Sequence, residues 1–302
     1  MKVYLNDPIA DDARARLEKH VELVSDFEHP EELDAIILRQ QYCTREVISR
    51  AKKCRLIQQH GAGLDRIDLE AAREYGIPVR NTPGLNARAV AEYALAMMLD
   101  LSRRVTVIDG KTRRGALPRF GMPETVGREL TGKTLGLVGS GHVARELAQI
   151  ARDGFRMELR CFSAHRSAAE IEALGFRPAS SLPELFASCD YVSLHCLLTT
   201  ETYHLVDAAL LRASNPGLIL INTARGGLID EAALYEALRD GTLTAAGLDV
   251  FERQPPATDN PLLSLDNFLA GMHVGGSTHE ALERNGRAVV DAVFDALGIE
   301  EK

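Results

Sequence analysis

The sequence predicts an α/β protein built from two domains, and three observations support this class. Short apolar segments alternate with helical patterns along the chain, as expected of parallel sheets that are covered by helices on both faces. The 302 residues are enough for two domains, each with its own core. At residues 134–144 an apolar strand is followed by a glycine-rich turn and then by a helix. This unit begins a second series of β-α units.

Each predicted strand is a short apolar segment, and each predicted helix has apolar residues at helical spacing. The predicted strands cover residues 3–5, 35–38, 56–59, 135–138, 159–162, 191–194, 218–221 and 246–250. The shorter predicted helices cover residues 11–20, 144–152, 182–187 and 231–239. A long helical segment is predicted from residue 86 to about 114, followed by a loop rich in Gly, Pro and Arg to residue 127. The last helix, 278–297, either caps the second domain or returns to the first.

The composition predicts a cytoplasmic protein. A net charge of −8 argues against a nucleic-acid partner. The N-terminus lacks the apolar segment of a signal peptide, and no apolar run is long enough to span a membrane. The five cysteines are scattered without C-x-x-C spacing, which favours reduced thiols over disulfides and predicts no metal site.

The glycine turn has the sequence TLGLVGSGHVA, with Gly139, Ser140 and Gly141 between strand and helix. Such a turn brings backbone N–H groups and the positive end of a helix dipole to one point, where a pyrophosphate can bind. The pattern also occurs by chance, so an ordinary turn or a site for another nucleotide-like ligand remains an alternative. One strand later, the position of the usual ribose-binding acid holds Ser163, followed by His165 and Arg166.

These three side chains can bind a 2′-phosphate, which an acid would repel. The sequence therefore favours NADP over NAD. The alternative is that Arg166 is merely a solvated residue and that the site is indifferent to the phosphate.

Several motifs occur in the order and spacing of one known family. They read HGAGLDRIDLEAAREYGIPVRNTPGLNARAVAEYALAMML, LHCLLTTETYHLVD, INTARGGLIDEAAL, AAGLDVFERQP and MHVGGSTHEA. The chain resembles the D-isomer-specific 2-hydroxyacid dehydrogenases, which include phosphoglycerate dehydrogenases and glyoxylate/hydroxypyruvate reductases. The resemblance implies a Rossmann cofactor domain, residues 98–273, inserted in a flavodoxin-like substrate domain, residues 1–97 and 274–302. It also implies a homodimer formed through the cofactor domain.

The resemblance assigns the chemistry to three residues. Arg225, after the strand 218–221, would bind the carboxylate and the ketone oxygen of a 2-keto acid with its forked guanidinium. His273 would be the general acid/base. Gln254 stands where the family pattern D-V-F-x-x-E-P has the Glu that pairs with this His, and it cannot stabilise an imidazolium by charge. Glu252 could take that role only if the loop changed register.

Further site residues also follow from the resemblance. The implied cofactor contacts are Thr82, Gly139, Ser140, Gly141, His142, Val143, Ser163, His165, Arg166, His195, Cys196, Thr223, Ala224, Asp249 and Gly275. The backbone N–H groups of Ala62 and Gly63 would bind the substrate carboxylate. Arg39 matches an arginine that lies near the substrate phosphate in phosphoglycerate-type relatives. The alternative is that Arg39 forms a surface ion pair.

The predicted function is hydride transfer between NAD(P)H and a small 2-keto acid, with the particular substrate left open. One alternative is an NAD(H)-binding sensor of the corepressor kind with little or no turnover, which the Gln254 departure favours. An S-adenosylmethionine-dependent methyltransferase would share the glycine turn, but it has no use for Arg225 and His273.

Overall fold

The computed structural model describes residues 1–116 and 125–301. The chain forms two compact units. Unit 1 comprises Met1–Asn86 and resumes at Gly276, whereas unit 2 is Ala87–Gly275. The first division thus falls at Asn86, and residue 97 of the predicted boundary lies inside a helix whose apolar face belongs to the core of unit 2.

Unit 1 begins with five short parallel strands, and a helix follows each of the first, third and fourth strands. In chain order these are β1 (Lys2–Leu5), α1 (Asp11–Glu18), β2 (Glu22–Val24), β3 (Ala35–Leu38), α2 (Arg45–Arg50), β4 (Ile57–Gln59), α3 (Leu69–Glu74) and β5 (Val79–Arg80). The sheet order is β2-β1-β3-β4-β5, the flavodoxin-like order.

Unit 2 contains a parallel sheet of seven strands. Its elements are α4 (Ala87–Arg103), α5 (Val105–Arg113), β6 (Thr134–Val138), α6 (His142–Phe155), β7 (Glu158–Phe162), α7 (Ala168–Ala173), β8 (Arg177–Pro178), α8 (Leu182–Ser188), β9 (Tyr191–Leu194), α9 (Ala208–Arg212), β10 (Ile219–Asn222), α10 (Glu231–Arg239), β11 (Ala245–Leu248) and β12 (Phe268–Ala270). The order β12-β11-β10-β9-β6-β7-β8 reverses between β6 and β9, as in Rossmann sheets. The predicted fold class is therefore confirmed.

The last helix, α11 (His279–Leu297), belongs to unit 1. Val289, Val293 and Phe294 pack in one buried cluster with Val3 and Leu17. The helix thus closes one face of the first sheet, which settles the alternative that the sequence left open. Its N-terminus is capped by Thr278, whose side chain accepts from the N–H of Ala281.

The long helical segment predicted for residues 86–114 is two helices. Arg104 adopts the left-handed conformation, with φ +56°, and separates α4 from α5. No residue of α5 is buried. Most of the Gly/Pro/Arg loop predicted to follow lies outside the described residues.

Within residues 1–116 and 125–301, no helix combines the length and apolarity needed to cross a membrane. All five cysteines are free thiols, and four are buried. Burial raises the pKa of the Cys196 thiol to about 11, so this thiol is protonated at neutral pH.

Candidate active site

The glycine turn lies where the strand order of unit 2 reverses. Gly139 follows β6 with φ +99° and donates its N–H to the carbonyl oxygen of Phe162 at 2.8 Å. A Cβ atom at Gly139 would stand 2.8 Å from the carbonyl oxygen of His195, directly after β9. Only glycine permits this approach, and it leaves backbone alone at the crevice where such sheets bind ligands.

The N-terminus of α6 suits an anion. Its N-cap residue is Gly141, and no side chain caps the first turn. The first N–H groups, beginning at His142 and Val143, therefore remain available to a ligand. Together with the backbone cradle at Gly139, this end of the helix fits a pyrophosphate group.

Two buried polar atoms at the neighbouring strand ends indicate a polar ligand. His195 Nε2, after β9, and Thr223 Oγ1, after β10, have no hydrogen-bond partner within the described part of the chain. Burial lowers the pKa of His195 to about 3, so its imidazole is neutral at physiological pH. Unpaired buried polar atoms are rare in proteins, and these two are available to a polar ligand.

The segment after β7 carries the residues that are predicted to determine the preference between NAD and NADP. Ser163 is half-buried, whereas His165 and Arg166 are exposed. Among the residues that the structure describes, Arg166 forms no salt bridge with a carboxylate. The next helix is capped by Ser167 and Glu170, so Arg166 has no capping task there.

Asp249 holds the segment that carries His273. Its buried carboxylate accepts the N–H of Val274 at 3.0 Å and that of Gly275 at 2.8 Å. Its carbonyl oxygen accepts the N–H of His273 at 2.6 Å. Burial raises the pKa of Asp249, and the N–H groups act in the opposite direction. His273 has φ +59°, a conformation that costs about 1–3 kcal/mol for residues other than glycine and that Asp249 thereby holds in place.

Gln254 contacts His273 directly. Its Oε1 lies 3.1 Å from Nδ1 of the imidazole. A proton on Nδ1 is donated to this amide oxygen, which leaves Nε2 as the nitrogen that can exchange a proton with a substrate. Glu252 instead bonds to Nε2 of His204, so the loop keeps its register and Glu252 is already engaged elsewhere.

Arg225 follows β10 in a turn braced by Asn222, a buried residue that sequence reasoning missed. Asn222 Nδ2 donates to the carbonyl oxygen of Arg225 at 2.8 Å, and its Oδ1 accepts the N–H of Ala224 at 3.0 Å. The guanidinium donates through Nη1 to the carbonyl oxygen of Ala224. A Cβ atom at Gly226 would stand 2.0 Å from the carbonyl carbon of Phe251, so this turn lies directly on the segment that leads to Gln254.

The strands β9, β10, β11 and β12 are parallel neighbours, and their carboxyl ends share one edge of the sheet. The functional candidates that follow these ends are His195, Arg225, Asp249 and His273. The edge thus combines a cation, a titratable imidazole and unpaired polar atoms, which is a set suited to bind and protonate a small acid.

In unit 1, Ala62 and Gly63 follow β4. Their N–H groups donate to no acceptor in the described part of the chain. Thr82, predicted to line the cofactor, is buried, and its hydroxyl contacts Gly61 and Asn285.

Arg39 follows β3 at the point where the strand order of unit 1 reverses. Its guanidinium donates to the carbonyl oxygen of Pro8 at 3.0 Å and to Oγ of Ser277 at 2.9 Å. It forms no salt bridge with any described carboxylate, so the structure does not support the surface ion pair. Burial lowers the pKa of Arg39.

The class of protein follows from the sequence match of the second unit. Residues 95–275 match the model for the NAD binding domain of the D-isomer specific 2-hydroxyacid dehydrogenases. The chain belongs to this family, and unit 2 is its NAD-binding domain.

Particular relatives extend the match to both units. The chain is 38% identical over 315 residues to the hydroxypyruvate reductase of Thermotoga maritima, with 99% of each protein covered. It is 36% identical over 306 residues to the D-3-phosphoglycerate dehydrogenase of Methanocaldococcus jannaschii, covering 98% of this chain and 57% of that longer protein. The crystal structure of D-lactate dehydrogenase from Aquifex aeolicus, complexed with NAD and lactic acid, superimposes with a TM-score of 0.87 at 28% identity, covering 99% of this chain and 96% of that one.

Proposed function

We propose that this protein transfers a hydride between NAD(P)H and a small 2-keto acid, forming the D-2-hydroxy acid. The observation that carries the proposal is the contact between His273 Nδ1 and Gln254 Oε1 at the edge that also bears Arg225. This contact orients an imidazole for proton exchange, and Arg225 at the same sheet edge supplies a cation for the carboxylate. The hydroxypyruvate reductase among the relatives supports the same class of substrate.

Each residue has a defined part in the proposed reaction. When bound, the dinucleotide supplies or accepts the hydride. Arg225 binds the substrate carboxylate and polarises the ketone. During reduction the ketone carbon gains the hydride, and its oxygen gains the proton that His273 holds on Nε2. Gln254 keeps the imidazole oriented by accepting the hydrogen on Nδ1. In unit 1, the N–H groups of Ala62 and Gly63 suit an anion such as a carboxylate.

A panel of 2-keto acids tests the proposal. Glyoxylate, hydroxypyruvate, phosphohydroxypyruvate and bulkier acids are each incubated with NADH or NADPH, and cofactor absorbance is followed. Oxidation of the cofactor with at least one acid supports the reductase. Tight cofactor binding without turnover of any acid favours the sensor alternative, which the missing Glu at position 254 supports.

Replacing Gln254 with glutamate is expected to move the pH–rate profile of reduction upward. A carboxylate beside Nδ1 stabilises the imidazolium and raises the pKa of His273, by about one unit or more. Reduction needs the protonated imidazole, so activity should persist to higher pH and rise about tenfold or more at alkaline pH. Steady-state kcat/KM measured from pH 5 to 10 checks this. The exposed Gln149, changed to Glu, is the matched control, and an unchanged profile for Gln254→Glu contradicts the assigned role.

We propose NADP as the favoured cofactor, on the basis of Ser163 and the exposed guanidinium of Arg166. Ser163→Asp and Arg166→Ala are each expected to lower the ratio of kcat/KM for NADPH to that for NADH by about 10- to 100-fold, the effect of losing or opposing one charge-assisted contact. Arg212→Ala, at another exposed arginine of unit 2, serves as the control. A strong preference of the unmodified protein for NADH would count against this assignment.

We also propose a homodimer formed through the surface of α5. No residue of α5 is buried, and Val105 and Val126 are 58% and 67% exposed. A cavity of about 330 Å³ beside them is lined by apolar side chains such as Leu101, Val107 and Phe268 together with polar and charged ones such as Asp100 and Arg128. An exposed helix that presents valine side chains among charged groups suits contact with a second copy of the chain. Light scattering should give twice the mass of one chain, and a monomer would refute the proposal.

A further inference from the structure

The loop after β4 is clamped by the chain segment that follows β5. The N–H of Gly61 donates to Oγ1 of Thr82 at 2.8 Å, and the N–H of Thr82 donates back to the carbonyl oxygen of Gly61 at 2.9 Å. One residue further, Nδ2 of Asn81 donates to the carbonyl oxygen of Ala62 at 2.7 Å. Two successive carbonyl groups of the loop are thus turned toward residues 81 and 82.

The orientation of these two carbonyl groups fixes the direction of the N–H groups of the same peptide units. In a trans peptide the N–H points opposite to the carbonyl of the same unit, and the described cis bond is Gln254–Pro255. Because the carbonyls of Gly61 and Ala62 point toward residues 81 and 82, the N–H groups of Ala62 and Gly63 point away. These two N–H groups have no acceptor among the described residues. The clamp therefore aims two neighbouring donors at one side of the loop, which forms an anion-binding concavity.

A buried asparagine on α11 determines that the Thr82 hydroxyl oxygen acts as an acceptor for Gly61. The hydroxyl of Thr82 has one proton, and it donates this proton to Oδ1 of Asn285 at 2.5 Å. Asn285 in turn donates from Nδ2 to the carbonyl oxygen of Ala281 at 2.8 Å. With its proton committed, Thr82 Oγ1 acts as the acceptor for Gly61. Both side chains are buried, so water cannot easily substitute for either bond.

We propose that Asn81, Thr82 and Asn285 are positioning residues that aim the N–H groups of Ala62 and Gly63 at the substrate carboxylate. This inference rests on the proposed function, because it takes the bound anion to be the carboxylate of the 2-keto acid. It gives Thr82 a task that is separate from lining the cofactor. It also makes α11 part of the substrate-binding machinery, although the helix lies more than 190 residues further along the chain.

The expected signature is a change in KM with little change in kcat. The carboxylate is bound in the same way in the ground state and the transition state, so losing its donors weakens both equally. Thr82→Val removes the hydroxyl at nearly constant shape, and Asn285→Leu removes its acceptor. Each is expected to raise KM for the 2-keto acid about 10- to 100-fold, which is the scale of a hydrogen bond to a charged group. Thr82→Ser keeps the hydroxyl and should restore KM.

Amide measurements test the clamp without turnover. Hydrogen exchange at the Gly61 amide should be slow in the unmodified protein and in Thr82→Ser, and fast in Thr82→Val. Addition of oxalate should shift the amide resonances of Ala62 and Gly63 in the unmodified protein at concentrations that leave Thr82→Val unchanged. Ser214→Ala removes a buried hydroxyl that is bonded to the carbonyl oxygen of Leu211 in unit 2, and it should alter neither readout.

The outcomes separate this inference from the proposed function. KM values within twofold of the unmodified protein for Thr82→Val and Asn285→Leu would overturn the positioning role. If those buried changes prevent folding, Asn81→Ala decides the matter, since it removes one exposed contact and should still raise KM. If the unmodified protein reduces no 2-keto acid, the proposed function fails. Oxalate then decides the inference, with shifts at Ala62 and Gly63 supporting it and their absence refuting it.

Discussion

Replacing Arg225 with leucine is expected to lower kcat/KM for the 2-keto acid by about two to three orders of magnitude. Leaving a carboxylate without its charged partner in a desolvated site costs roughly 2–5 kcal/mol. The guanidinium is already held by the carbonyl oxygen of Ala224, and its turn is braced by Asn222, so little ordering is left for the substrate to impose. Steady-state kinetics with the acid that the unmodified protein reduces best provides the measurement.

Two further variants show whether charge or shape is responsible. Arg225→Lys keeps the charge but loses the forked geometry, so its kcat/KM should fall between those of Arg225→Leu and the unmodified protein. Arg212→Leu makes the same substitution at an exposed arginine of α9 and should have no effect. If Arg225→Leu retains full activity, Arg225 does not bind the substrate carboxylate.

Replacing His273 with asparagine is expected to lower kcat by about 10²- to 10⁴-fold, the usual contribution of a general acid. Asparagine is chosen because His273 has φ +59°, and asparagine accepts the left-handed conformation better than most residues. The loss then reflects the missing proton donor rather than backbone strain. Cofactor binding, followed by NAD(P)H fluorescence, should be retained.

His204 offers a matched control for this experiment. It is also a histidine in the left-handed region, with φ +52°, and it lies in the same unit. His204→Asn repeats the chemical change at the same backbone conformation, and it should leave kcat within a few-fold of the unmodified value. Equal losses for the two variants would mean that His273 acts through structure and not through its proton.

Sequence patterns revealed the interior of both sheets but not their margins. The four strands that were not predicted, β2, β5, β8 and β12, are the edge strands of the two sheets. Interior strands such as β3 and β9 are buried at every position and have largely apolar sequences. In the four edge strands, by contrast, no residue is fully buried. An edge strand has one covered side, so its composition resembles that of a loop.

The candidate catalytic residues could be named from the sequence, whereas the residues that brace them could not. Arg225 and His273 occur in recognisable motifs, and Gln254, noticed as a departure from the pattern, does contact the imidazole. Asn285 and Asn222 carry no such signal, because a buried asparagine acquires its meaning from partners that only the folded chain brings near. The left-handed conformation of Arg104, which divides one predicted helix into two, is likewise invisible in the helical spacing of its neighbours.

The division of unit 1 into two separated stretches has a consequence for synthesis of the protein. Residues 1–86 leave the ribosome first, but Val3 and Leu17 pack against Val293 and Phe294, which are made after the whole of unit 2. At the usual elongation rate of 5–20 residues per second, the 189 residues of unit 2 (275 − 86) take about 10–40 s. During that time one apolar face of the unit 1 sheet is not yet covered by α11, so chaperones can bind to it. The NAD-binding unit is one continuous stretch of chain, so it can fold before α11 of unit 1 has been synthesised.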